Sequence, residues 1–301
     1  MLNPVRANNT RVEETHRVSC KVGGAQGDCV FCALAKIRRS WVSPALVSLN
    51  PMTTSFSPPS LAKPSELGFV LQQQGFGVLD AQGVSNLSGC PLDELEHLRP
   101  LWANLPPDAF LKDGGRYRRR RHSCFVVQDG DVTLVPHRAH WQPVEYNALH
   151  GGINRLFDPM LPELIAQPVW RQLMVWLGRV ASRLKGLQPW FVEAHQIRID
   201  TTDGIGRPTP EGAHRDGVDL VAVFMVDRVG IKGGETRVFD AAGPDGQRFT
   251  LTQSWSVLLL DDARVIHETT PIQPLQPLAP GAHRDTMVVT LRAGAFQGPG
   301  Q

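Results

Sequence analysis

The sequence has almost no net charge: 31 lysines and arginines against 29 aspartates and glutamates leave +2 over 301 residues. That balance supplies no basic field to steer a polyanion, so nucleic acid is not an expected partner. No uninterrupted apolar stretch approaches the length of a membrane span, and no membrane association is expected. Cysteine is scarce and unpaired in number, five scattered along the chain. That excludes a disulfide framework and makes the reducing cytoplasm the expected compartment. No Gly-x-Gly-x-x-Gly follows a strand-like run and no Gly-Lys-Ser/Thr loop occurs, which removes support for nucleotide binding. What is present, 42 % apolar and 20 % charged residues, is the composition of an ordinary globular protein.

Residues 1–51 lack a sustained helical or strand period, and no apolar h-region marks a signal peptide. Cys29-Val-Phe-Cys32, with Cys20 nearby, has a spacing used for zinc and redox chemistry. No second Cys pair or spaced His pair completes such a site, so free thiols are the favoured reading. Residues 1–63 are expected to be a poorly ordered extension, with the native start at Met52 and the first 51 residues dispensable. Residues 64–295 are expected to form the folded domain.

Within that domain the spacing predicts helices over Ser65–Gln74, Leu92–Asn104 and Leu161–Leu184, the last broken or restarted at Pro168. Strands are predicted at Phe76–Leu79, Ser123–Val127, Trp190–Asp200, Val218–Val226, Ser254–Leu260 and Arg284–Arg292. The turn signals Asp129-Gly-Asp131 and Asp245-Gly246 separate shorter ones. Val218–Val226 is apolar on both faces and therefore central. The expected class is α+β, mainly β: an antiparallel double sheet, or jelly roll (double-stranded β-helix), with flanking helices.

One stretch carries chemistry. In Thr209-Pro-Glu-Gly-Ala-His-Arg-Asp-Gly217, His214 and Asp216 are two residues apart, so an extended backbone puts both on one face. An imidazole and a carboxylate so placed can fill two corners of a metal's coordination sphere. His267, 51 residues after Asp216 and following another apolar run, is placed to supply a third ligand. Two His and one carboxylate form the facial triad of non-haem Fe(II) oxygenases. Arg284, 17 residues after His267, opens the last strand and carries a fork suited to bidentate carboxylate binding. A buried ion pair of His214 with Asp216, with His267 in a loop, is the bland alternative.

The order His-x-Asp, distal His, strand-borne Arg resembles the Fe(II)/2-oxoglutarate-dependent dioxygenases. Gly206–Gly217, Gly233-Gly-Glu-Thr236 and His283-Arg-Asp285 resemble the bacterial branch of L-isoleucine dioxygenase-like free amino-acid hydroxylases, and most of all its biofilm-stress-motility protein A homologues. The resemblance implies a jelly roll and the cofactors Fe(II) and 2-oxoglutarate. It implies His214, Asp216 and His267 as metal ligands and Arg284 as the 2-oxoglutarate anchor. It also implies hydroxylation by O₂ of an aliphatic C–H bond in a small substrate, a free L-amino acid. Related halogenases replace the carboxylate with a small residue, so Asp216 argues for hydroxylation. A non-catalytic metal-binding protein with a regulatory role in biofilm or stress responses stays open beside it.

The run Arg116–Arg121 reads as a solvated strand face, as an anchor for a substrate carboxylate, or as a nucleic-acid patch. The resemblance favours the anchor, with Arg118 and Arg120 the candidates; Gln196 and Arg198 are expected to help position substrate. Gln142, Asn147, Gly151-Gly152 and Arg155 share the resemblance. His137 and His140 read as surface or hydrogen-bonding histidines and His195 as a core histidine. The second His-Arg-Asp, 283–285, is expected to flank Arg284 without binding metal, and Arg292 is the rival anchor.

Overall fold

The computed structural model describes residues 57–277 and 281–299. The expectations for Met52 and for Cys20, Cys29 and Cys32 fall outside these residues.

The fold begins with a 3₁₀ turn, Pro64–Glu66, and helix α1, Leu67–Gln74, which Gly75 ends at φ 77°. Strand β1, Phe76–Leu79, leads to α2, Ala81–Ser88, a short helix that turns Ala81, Val84 and Leu87 to the core. Its ends are fixed by capping: the Asp80 carboxylate accepts from Gly83 N at 2.7 Å, and Gly89 turns left-handed. The single helix predicted over Leu92–Asn104 is two pieces, α3, Leu92–Glu96, and a 3₁₀ turn, Arg99–Trp102. Pro100 lies at the break and has no N–H to continue an α-helix. Strands β2, Arg118–Gln128, and β3, Asp131–Leu134, form the expected hairpin. Helices α4, Pro162–Ile165, and α5, Pro168–Lys185, divide where Pro168 restarts the chain.

Nine strands follow: β4, Trp190–Asp200; β5, Leu220–Val229; β6, Ile231–Gly233; β7, Thr236–Asp240; β8, Gly246–Phe249; β9, Val257–Asp261; β10, Val265–Thr269; β11, Ile272–Pro274; and β12, His283–Ala293. Among the described residues they build a major sheet ordered β1-β9-β5-β12-β4-β2-β3, a minor sheet β10-β7-β8 and the pair β11-β6. Every strand pairing is antiparallel. This is a jelly roll with flanking helices.

Alternation decides what each face of the major sheet does. Phe125, Val192, Phe224 and Leu291 join Trp170, Leu173 and Leu177 of α5 in the larger core. Val221, Met225, Leu258 and Leu260, from the opposite face, pack on Val238 and Val265 of the minor sheet. β5 is therefore apolar on both faces, as a central strand must be. Along β2, β4 and β12 the inner row is polar. The register aligns Arg118, Ile199 and Arg284, then Arg120, Ile197 and Thr286, then His122, His195 and Val288 across three strands. That row floors the candidate site.

Candidate functional site

Two backbone bridges set the ligand-bearing loop against the minor sheet. His214 N donates to His267 O at 3.0 Å and His267 N to His214 O at 2.9 Å, while Gly206 pairs with Ile272 eight residues earlier. His267 sits on β10 opposite Val238. The loop is held from below by Asp262, whose carboxylate accepts the amides of Asp216, Gly217 and Val218 at 3.0, 2.7 and 3.1 Å. Gly217, at φ 76°, has no room for a side chain: a Cβ would lie 2.5 Å from Tyr146.

This scaffold brings the predicted triad together. One ligand-type atom each from His214, Asp216 and His267 lie within 4.8 Å of one another. Nε2 of His214 is 3.9 Å from Asp216 Oδ1, and Nε2 of His267 is 3.8 Å from Oδ2. Nδ1 of His214 faces the Gly212 carbonyl at 2.9 Å. A carbonyl only accepts, so Nδ1 carries a proton, which leaves Nε2 as the nitrogen a metal would use. Gln142 Nε2 donates to Asp216 Oδ1 at 3.0 Å, and its own oxygen accepts from Asn147 and Arg155. Burial raises Asp216 and pushes His267 well below its ordinary value. A dication between them would favour the carboxylate and the neutral imidazole that ligation needs. The donor set suits Fe(II) and leaves one octahedral face open.

Arg284 lines the same cavity, whose volume is about 120 Å³. It is 4 % exposed, and its Nε has no hydrogen-bond partner among the described residues. Burial, with repulsion from Arg228, lowers its guanidinium to about 9. An interior cation of this kind calls for an anion. Arg292 lies on the same face of β12 but lines a neighbouring pocket, and one of its guanidinium N–H groups donates to Ala295 O.

The arginine run divides by face. Arg118 and Arg120 line the cavity. Arg118 is neutralised there by Asp108, at 2.6 Å. Arg120 is not neutralised by any direct ion pair: it donates to His195 Nδ1 at 2.9 Å, lies over the Phe157 ring and has an unpartnered Nε. Arg119 and Arg121 lie on the other face, where they meet Asp200 and Asp158. That other face also holds Gln196 and Arg198, which corrects their expected substrate role. Gln196 donates to Leu101 O at 3.4 Å, and Arg198 forks onto Asp285 at 2.7 and 2.6 Å. The same alternation turns His283 and Asp285 outward, so the second His-Arg-Asp presents only its arginine to the cavity.

The sequence reading missed a second buried group. His122, His140 and His195 surround Glu193. Glu193 Oε2 accepts from His140 Nδ1 and, at 3.2 Å, from His122 Nε2. The Arg120 guanidinium can only donate, so His195 Nδ1 accepts and its Nε2 is protonated. With those nitrogens protonated the cluster is a hydrogen-bonded carboxylate. Burial pushes all three imidazoles down, His140 to about 3. Burial alone would raise Glu193, but the imidazole donors hold it below the usual carboxylate range.

The sign of the resulting pH dependence is fixed. Folded-state imidazole values below the unfolded ~6.5 mean that the unfolded chain binds more protons in acid, so stability is lost as pH falls below about 6.5. Glu193 acts in the same direction. Each imidazole contributes ~1.4 kcal/mol per pH unit in that window. Urea titrations from pH 7 to 4.5 are expected to show a loss of stability to which the cluster contributes up to about three protons below pH 6. His140→Gln should reduce that slope by about one proton.

Residues 99–290 match the model of the family described as 2OG-Fe dioxygenase, where 2OG is 2-oxoglutarate. The chain belongs to this family. Among solved structures, a bsmA homolog from Methylobium petroleophilum is 52 % identical, with 82 % of this chain and 99 % of that one covered and a TM-score of 0.76. The expected closeness to that branch holds. The structure of IDO from Bacillus thuringiensis shares the fold at 18 % identity, covering 78 % of this chain and all of the other, with a TM-score of 0.62. The Fe(II)/α-ketoglutarate-dependent dioxygenase TqaL does so at 19 % identity, over 78 % of this chain and 91 % of its own, with a TM-score of 0.58. No curated protein matches. As a 2OG-Fe dioxygenase, the chain uses Fe(II) and 2-oxoglutarate with O₂ on a small-molecule substrate. No helix among the described residues is long and apolar enough to cross a membrane.

Proposed function

We propose that this dioxygenase hydroxylates an aliphatic C–H bond of a free L-amino acid. His214, Asp216 and His267 hold the iron, and Arg284 takes the far carboxylate of 2-oxoglutarate. The observation that carries the reading is the meeting, in one cavity, of a convergent His-Asp-His set with a buried guanidinium that has no protein anion. When bound, iron and 2-oxoglutarate supply the oxidising chemistry: O₂ is consumed, 2-oxoglutarate leaves as succinate and CO₂, and one oxygen atom enters the substrate.

The chain's own residues do the rest. Asp262 fixes the loop backbone and Gln142 the Asp216 carboxylate, so the ligands need not reorganise when iron enters. The β12 row of Thr286, Val288 and Thr290 walls the cavity beyond Arg284. Arg120 and Arg155, both buried without a directly paired carboxylate, offer positive charge to a substrate carboxylate.

The test is anaerobic reconstitution with Fe(II) and 2-oxoglutarate, then exposure to air with each free L-amino acid and mass spectrometry. At least one amino acid should gain one oxygen atom in step with succinate formed. Oxygen uptake that does not need 2-oxoglutarate would refute the reading.

A further inference from the structure

Two carboxylates line the cavity, Asp216 of the triad and Glu211. Oε2 of Glu211 is buried and has no hydrogen-bond partner among the described residues, and its Oε1 lies 3.6 Å from His214 Nε2. Nδ1 of His214 donates to Gly212, which leaves Nε2 as the nitrogen that faces the metal position. With Nε2 given to a metal, His214 has no hydrogen to offer Oε1, and the buried carboxylate calls for a cation.

The metal is a poor candidate for that cation. Glu211 falls outside the set of ligand-type atoms that lie within 4.8 Å of one another. As a fourth protein ligand it would also leave an octahedral ion two positions, both needed by a chelating keto acid, with none for O₂. An organic cation remains. Across the cavity Arg120 and Arg155 are buried, have unpartnered Nε atoms and feel the Glu211 charge. Arg118, the third guanidinium of the group, is already neutralised by Asp108. Arg284 being taken by the far carboxylate of 2-oxoglutarate, the cavity sets one free carboxylate against two further guanidiniums that lack one among the described residues.

We infer that this is a zwitterion site: Glu211 accepts the substrate's ammonium group, and Arg120 with Arg155 receives its carboxylate. Ligands with both charges on one carbon, α-amino acids, fit; 2-hydroxy acids and simple amines each leave one side unpaired. The inference rests on the dioxygenase reading above and adds the residues that select the substrate. It places the ammonium beside the ligand His214, so recognition occurs next to the metal rather than at a remote mouth.

The test is calorimetry under anaerobic conditions on protein holding Fe(II) and 2-oxoglutarate. Its probes are aliphatic L-amino acids, their 2-hydroxy-acid counterparts and the matching amines. At least one amino acid should bind about 30-fold or more tightly than its hydroxy acid, the scale set by breaking a buried charge pair. Glu211→Gln should erase that preference, weakening the amino acid by the same factor and leaving the hydroxy acid unchanged. Because the ligand series is read on the unaltered protein first, a poorly folded variant does not decide the matter. Equal loss for both ligands in Glu211→Gln, loss of iron from that variant, or equal wild-type affinity for amino and hydroxy acids each overturns the zwitterion site. If 2-oxoglutarate binds and no amino acid does, the zwitterion site and the amino-acid substrate fall, and the assignment of iron and 2-oxoglutarate to the cavity stands. If 2-oxoglutarate itself does not bind, both fall.

Discussion

Asp216→Ala is expected to abolish stable iron binding while leaving the fold in place. Asp216 is the carboxylate of the set, and its two oxygens face His214 and His267 at 3.9 and 3.8 Å. Loss of an outer-shell partner of a metal ligand costs ~10–100-fold in affinity, and loss of a direct carboxylate ligand should cost more. The free protein has little to lose, because burial already raises Asp216 and disfavours its charge. The readouts are iron retained after anaerobic reconstitution and desalting, and the shift of Tm with metal. At a metal concentration of about 100 Kd the wild type gains ~2.7 kcal/mol, which for a domain of this size is roughly 5–10 °C. The variant should show no shift. His283→Ala, in the outward-facing second His-Arg-Asp, should behave as wild type. Full iron retention by Asp216→Ala would remove the triad from the site.

The parts of this site that could be read in the sequence are those written in local spacing. Two residues apart on extended chain puts His214 and Asp216 together whatever the rest of the molecule does. Alternation likewise separated Arg118 and Arg120 from Arg119 and Arg121. Alternation alone does not say which face looks inward, and that is where Gln196 and Arg198 were misplaced: their shared face was read correctly, its direction wrongly. Direction is set by register, Arg120 beside Ile197 beside Thr286, across strands that are far apart in the chain. Asp262 and Glu193 were illegible for the same reason. Each is an acid in or beside an apolar run, and its role exists only once the amides of 216–218, or the ring of His122 on the neighbouring strand, are brought to it. Polar residues at alternate positions of β4, Glu193 and His195, opposite His122 on β2, were the one available signal. Helix α2 was missed because its apolar period is brief, Ala81, Val84 and Leu87 among glycine and polar residues, while capping by Asp80 and Gly89 marks its ends.

Arg284→Met is expected to move binding and stability in opposite directions. In the wild type the guanidinium is buried without a protein anion, and its lowering to about 9 records how strongly the interior resists its charge. Folding bears that cost for the sake of the ligand. When 2-oxoglutarate enters, its far carboxylate finds two parallel N–H donors in a water-poor pocket, the geometry in which an arginine fork is strongest. Methionine keeps the apolar stem of arginine and carries no charge. The unliganded variant should therefore be more stable than wild type, by ~1–3 kcal/mol, the desolvation cost of an unpaired polar group. Its affinity for 2-oxoglutarate should fall by about 30-fold to several thousand-fold, the span of ~2–5 kcal/mol for truncating one side of a buried charge pair. Arg284→Lys should fall between, because it keeps the charge and loses the fork. Iron binding, which depends on the triad, should persist in both. Thermal unfolding of the metal-free proteins and anaerobic titration of 2-oxoglutarate on the iron forms measure the two effects separately. A variant that loses stability, or one that binds 2-oxoglutarate as wild type does, would show that the anion expected beside Arg284 is something else; Arg292→Met, on the same face of β12, is then the next position to titrate.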